Sequence, residues 1–248
     1  MACSTEGFVM VVWVLVVIGV VLTPLVEAVA LYRGGLTAGL SPRRSATVAV
    51  TVGLVWLAWV GVSAALAANG VYGPNSAVPW LGVAALGAMV VALSAGRIPV
   101  VRRILAAPGG TARLAWPHMV RVLGILFLIA LAQGTLPAAF ALPAGLGDIA
   151  TGIAAILLAR RWTRTRAIWF NVFGLLDLVV AVTLGLLGGL AAHPVLVLHP
   201  STLAMTLLPL ALIPTAVVPL DAALHVISLA RLRGGARSVV APVPVVSP

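Results

Sequence analysis

The chain alternates long apolar runs with short gaps, and basic charge is confined to every second gap. All fifteen basic residues are arginines. Arg33, Arg43 and Arg44 follow the first run, and Arg97, Arg102, Arg103, Arg113 and Arg121 follow the third. Arg160, Arg161, Arg164 and Arg166 follow the fifth, and Arg231, Arg233 and Arg237 follow the last. The intervening gaps hold no Lys or Arg. Positively charged loops stay on the cytoplasmic side of a membrane. The partition therefore predicts seven crossings, over 8–31, 46–68, 78–96, 119–136, 144–160, 167–188 and 202–230, with the N-terminus outside and the C-terminus in the cytoplasm.

Composition agrees. A mean hydropathy of +1.20 with only 8% charged residues excludes a soluble domain. The 248 residues fit seven helices of about 20 residues with short connections. The expected fold is all-α, a polytopic transmembrane bundle forming one domain over 1–233, with a disordered cytoplasmic tail over 234–248. The net charge of +10 is assigned to loops facing anionic lipid, so no nucleic-acid partner is expected. Arg in place of Lys, with abundant Ala, Val and Gly, points to high-GC coding and a bacterial inner membrane. Ala28-Val29-Ala30 imitates a signal-peptide cleavage site. No positive stretch precedes Phe8, however, and the run is long, so the first helix is expected to be retained.

Cys3 is the single cysteine, which excludes disulfide frameworks and cysteine metal sites. His118, His193 and His199 fall in loops and are expected to be ordinary; no metal site and no cofactor is predicted. The absence of Lys excludes a retinal Schiff base. Residues 100–105 suit a short interfacial helix before the Pro108-Gly109-Gly110 turn, and Gly73-Pro74-Asn75 suits an outer turn. Trp80, Trp116, Trp162 and Trp169 lie near span ends, where indoles favour the interface, while Trp13, Trp56 and Trp59 are assigned to packing.

The functional signal is the polar minority inside the spans. Four of the five acids fall there: Glu27, Asp148, Asp177 and Asp221. Each ionisable group at the bilayer centre costs about 2.5–3.5 kcal/mol, so it must face protein or water, find a partner or take a proton. Depth along the spans predicts an inner cluster of Glu27, Asn171, Asp221 and His225, an outer pair of Gln133 and Asp148, and Asp177 between them. Structural alternatives stand beside this. Glu27 is also accounted for by snorkelling or by pairing with Arg33. Asp221 and His225, at i and i+4, suit an intrahelical pair. Asp148, at an expected helix start, suits a dipole cap. Asp177 has neither interface nor helix end nearby.

The last span contains Pro209, Pro214 and Pro219, which free the carbonyls of Met205, Leu210 and Thr215 and predict an irregular helix. Broken helices line cavities in transporters. Pro24, just before Glu27, adds a second kink.

The blocks 134–148, Asn171-Val172-Phe173-Gly174-Leu175-Leu176-Asp177 and 208–225 resemble an uncharacterised group of small bacterial polytopic membrane proteins. The resemblance covers about the C-terminal half. It implies an integral membrane protein, draws attention to Asp148, Asn171, Asp177 and His225, and implies no substrate.

Three functions fit. The first is a small-molecule or ion transporter using Asp177 and Asp221 for binding or proton relay, with His225 tuning Asp221. The second is a membrane enzyme using Asp177 or Asp221 as general acid on a lipid or isoprenoid, with Trp56 and Trp59 lining the pocket. The third is a non-catalytic subunit or assembly factor. Expected partners are membrane lipids and a small hydrophobic or protonatable ligand.

Overall fold

The structure, a computed structural model, describes residues 2–73, 78–190 and 195–237, with side chains described from Met10 to Gly234. The Gly73-Pro74-Asn75 turn extends beyond the described residues. His193 and the tail after 237 lie outside them.

Every regular element among the described residues is helical. They are α1 (Ala2–Thr37), α2 (Pro42–Ala68), α3 (Trp80–Ala95), α4 (Pro99–Ala106), α5 (Gly110–Arg113), a 3-10 segment (Pro117–Gly124), α6 (Ile125–Ala132), α7 (Ala138–Arg160), α8 (Arg164–Gly185) with a π turn after it (Leu186–Leu190), two short turns (Thr202–Thr206 and Ile213–Val217) and α9 (Val218–Arg237). Six stretches are long and apolar enough to cross a membrane: Met10–Thr37, Pro42–Ala68, Gly110–Ala132, Ala138–Arg160, Arg164–Leu190 and Ile213–Gly234. A further pair, α3 and α4, meets the same test only when taken together across a 72° bend. The pattern is that of a multi-pass membrane protein. Large apolar side chains such as Leu54, Leu86, Leu157, Trp169 and Leu176 stand more than half exposed around it, as the face of a bundle toward lipid requires.

Local chemistry explains why the helices outrun their apolar windows. Ser41 caps α2 by accepting from the Arg44 amide, with Pro42 at the first helical position. Thr163 caps α8 in the same way through the Arg166 amide. The start of α7 at Ala138, after Pro137, is six residues before the expected 144, and this moves Asp148 from a helix start to its middle. Its role as a dipole cap is thereby corrected.

Two spans are not single α-helices. The first part of the expected 119–136 span winds as a 3-10 helix before α6. With three residues per turn, His118, Arg121 and Gly124 share one face. The expected 202–230 helix is instead a short 3-10 turn (Thr202–Thr206), an irregular stretch, a π turn (Ile213–Val217) and then α9. The prolines remove the hydrogen bonds that a continuous α-helix would need there. The Thr215 carbonyl freed by Pro219 accepts from Trp59 Nε1 at 2.9 Å, so Trp59 has a polar role beyond packing. Thr215 Oγ1 meets Ser63 Oγ at 2.6 Å, which ties this break to α2. Trp13 is 40% exposed and faces outward, contrary to the packing role expected of it.

The short helix α4 is amphipathic, with Val101, Ile104 and Leu105 buried and Arg102 and Arg103 exposed. In the bundle, α7 lies between the 3-10 segment and α8, and α9 packs against both α8 and α3. That convergence places the middles of α7 and α8 and the first turns of α9 around the 3-10 segment.

Candidate functional site: a buried arginine among three aspartates

Arg121 occupies this convergence and is only 4% exposed. Its Nε donates to Asp148 Oδ1 of α7 at 2.7 Å, and its Nη2 donates to Asp177 Oδ2 of α8. Asp221 of α9 approaches Nε at 4.0 Å. Arg121 Nη1 faces His225 Nε2 at 3.4 Å. One guanidinium thus gathers acids from three helices, which its planar fork of donors suits.

The tautomer of His225 follows from its neighbours. Asn171 Nδ2 donates to Ala167 O at 2.6 Å and to Ser228 Oγ at 3.0 Å, leaving Asn171 Oδ1 as an acceptor. That oxygen lies 2.9 Å from His225 Nδ1, which therefore carries hydrogen. In the neutral ring Nε2 is then an acceptor, matched to the Arg121 donor. Asn171 thus orients His225, and His225 addresses Arg121 rather than its helix neighbour Asp221.

His118 completes the site. Its ring stacks on His225 with centroids 3.9 Å apart and planes 16° from parallel, and Phe170 meets both rings from the side. His118 Nδ1 lies 3.2 Å from Asp221 Oδ1, yet neither atom has a hydrogen-bond partner of adequate geometry. The two groups lie within ion-pair distance but are not hydrogen-bonded.

Two glycines make the packing possible. A Cβ on Gly174 would run into the His225 imidazole, and one on Gly147 into the Asp177 carboxylate. The site is sealed except near Asp148, whose side chain is 20% exposed. There a small cavity of about 40 Å³ is lined by Thr23, Arg121 and Asp148 among others. That is room for water.

The structure brings Asp148, Asn171, Asp177, Asp221 and His225 together in one cluster, so the expected division into inner cluster and outer pair is corrected. Glu27 stands apart on α1, interacting with Asp221 only electrostatically and lining a separate cavity of about 450 Å³. Arg33 does not pair with Glu27; its guanidinium lies over the Trp116 ring at 5.5 Å. Gln133 sits at the C-terminal cap of α6, away from Asp148. The two residues not expected here are His118 and Arg121. His118, assigned to a loop, is fully buried. Arg121, assigned to a charged gap, is the hub. Among the described residues no group of three or more His, Cys, Asp or Glu is arranged to hold a metal ion.

The profile of the family described as Domain of unknown function (DUF8737) matches residues 78–233, a stretch containing the whole Arg121 cluster and excluding Glu27. No curated protein and no solved structure matches the chain.

Proposed function

The chain belongs to the Domain of unknown function (DUF8737) family, and from its own geometry we propose that it is a proton-linked membrane transporter of small molecules or ions. In this reading it crosses a bacterial inner membrane seven times, with α3 as the third span and α4 lying at the interface. The N-terminus is outside and the arginine-bearing ends are in the cytoplasm. The exposure of Arg43, Arg44, Arg160, Arg161 and Arg164 at helix ends, and of Arg102 and Arg103 on α4, supports that orientation.

The observation that carries the reading is the stoichiometry around Arg121. One guanidinium faces three carboxyl groups where water scarcely reaches. A buried charge without compensation is costly, so the carboxyl groups in excess must hold protons. Which of them do so depends on where Arg121 points. A substrate or conformational change that moves Arg121 would therefore move protons. The close but not hydrogen-bonded pair of His118 and Asp221 gives a second place for a proton to settle, and the small cavity beside Asp148 gives a route to water. The irregular stretch before α9 supplies a segment able to change shape near the site.

A second reading, acid catalysis on a lipid or isoprenoid, is favoured by one observation: Glu27 and Trp56 line the same apolar cavity. Asp177 and Asp221, the general acids first considered, do not line it. Glu27 would take that role.

The test is reconstitution into vesicles carrying an internal pH indicator, with solutes offered class by class under an imposed pH gradient. The expected result is proton movement triggered by one class and lost in Asp177→Asn and Asp148→Asn. Solute flux indifferent to the gradient would overturn the proton link. Turnover of a lipid without any gradient would favour the enzyme, and activity only with a copurified partner would favour a subunit role.

A further inference from the structure

A second pair of charged residues lies outside the Arg121 cluster. The cavity of about 450 Å³ is of the size usual for small-molecule sites. Its walls come from α1, α2, α3, α4, α5, the start of the 3-10 segment and α9, and are mostly apolar, with Leu31, Val55, Trp56, Val91, Ile104 and Leu224 among them. Two ionisable side chains line it: Glu27 and Arg113.

Neither is satisfied. Arg113 Nη2 is buried without a hydrogen-bond partner. Among the described residues no hydrogen bond or ion pair engages the Glu27 side chain. They also do not meet each other. The Arg113 guanidinium lies against α1 at Gly34, where an added Cβ would stand 3.2 Å from its Nε. Gly34 is seven residues beyond Glu27, which is two turns along the same helix face, roughly 10 Å. One wall thus presents a carboxyl group and a guanidinium, separated and not paired with each other.

The mouth of the cavity is equally specific. Helices α2 and α3 scarcely touch, each being held by other elements. Val55 from α2 and Val90 and Val91 from α3 line the cavity, yet each is more than half exposed on the outer surface. The gap between these helices therefore opens sideways, onto the apolar belt, and a ligand using it enters from the bilayer.

We propose that this cavity binds a bilayer lipid with a zwitterionic head, its phosphate on Arg113, its ammonium on Glu27, and its acyl chain leaving through the gap between α2 and α3. A purely anionic head would answer Arg113 and leave the Glu27 carboxyl group without a partner. A purely cationic head would do the reverse. Charge-assisted hydrogen bonds to both ends satisfy both residues. The site is distinct from the Arg121 cluster and stands whether or not that cluster moves protons.

The test uses the full chain in neutral maltoside micelles with a monoacyl phosphatidylethanolamine carrying a photoactivatable diazirine in its chain. Two probes with the same chain serve as comparators, a monoacyl phosphatidic acid and a simple alkylamine. The expected result is saturable crosslinking to residues 51–56 and 90–95, with the zwitterionic probe held most tightly. Arg113→Gln and Glu27→Gln should each weaken its binding roughly tenfold, the loss of one charge-assisted hydrogen bond. Val55→Trp, which blocks the mouth without touching either charge, should abolish labelling, whereas Leu86→Trp on the outer surface should leave it unchanged. Equal capture of all three probes, labelling spread over other helices, or labelling that survives Val55→Trp would each overturn the proposal.

Discussion

Arg113 and Arg121 are eight residues apart and read alike in the sequence, yet they inhabit opposite environments. Arg121 is ion-paired to aspartates of three helices and faces a histidine. Arg113 has a buried guanidinium nitrogen with no partner and shares a cavity with a glutamate two turns away. What separates them is which helices converge on each. The middles of α7 and α8 and the first turn of α9 meet around Arg121, each bringing one carboxyl group. Around Arg113 the neighbouring helix α1 carries its acid too far along. One site is closed upon itself; the other is chemically incomplete and open to the side. On the proposals made above, the first would hold protons and the second would receive a ligand.

The strongest way to break this comparison is Arg121→Gln. It leaves three aspartates facing one another in a sealed site, and removing one partner from a buried ionic cluster costs about 3–5 kcal/mol. Thermal unfolding in detergent should show a large drop. Combining it with Asp148→Asn or Asp177→Asn should restore part of the loss, because an excess carboxylate is removed. An unfolding temperature equal to the unmodified protein's would mean that Arg121 organises nothing.

A smaller effect is expected from the packing that shapes the cluster. Gly174→Ala drives a methyl group into the His225 ring, and Gly147→Ala drives one into Asp177. Overpacking of this kind costs about 1–3 kcal/mol. Gly61→Ala is the control: nothing lies within 4 Å of the added Cβ, and the helix gains propensity. Comparable losses at all three positions would show that the glycines act through the backbone and not through the site.

Next in size is Trp59→Phe. It removes the donor that satisfies the Thr215 carbonyl, at a cost of about 1 kcal/mol in the same unfolding measurement. The break before α9 would be self-sufficient if the variant unfolded like its parent.

The bundle was legible because apolar runs of membrane length admit few folds, and because arginine marks the gaps. Much of the cluster was legible too: Asp148, Asn171, Asp177, Asp221 and His225 are costly where they stand. Their grouping was not. Depth was reckoned from apolar windows, and the early start of α7 shifts Asp148 by six residues, which is more than a turn and a half. His118 and Arg121 were missed for a different reason. The charge rule sends arginines to loops, and nothing in an all-apolar run announces that its first half winds as a 3-10 helix. A signal was nevertheless present. Several acids inside the spans demand a cation, and Arg121, flanked by Val120 and Val122, is placed to enter the bundle. The cavity could not be foreseen at all, because it depends on α2 and α3 failing to pack.

The smallest predicted effect is the sharpest on the comparison. Arg113→Gln removes no ion pair and no hydrogen bond among the described residues, so its unfolding free energy should stay within about 0.5 kcal/mol of the unmodified protein. The same chemical change, eight residues apart, would then differ by several kcal/mol in its consequence. A large loss at Arg113 would mean that this residue also belongs to a closed network, and the cavity would lose the free cation on which lipid recognition depends. A null effect on stability, with weakened capture of the zwitterionic probe, would separate the two arginines by role: Arg121 holds the bundle's own charges, and Arg113 is left over for a partner's.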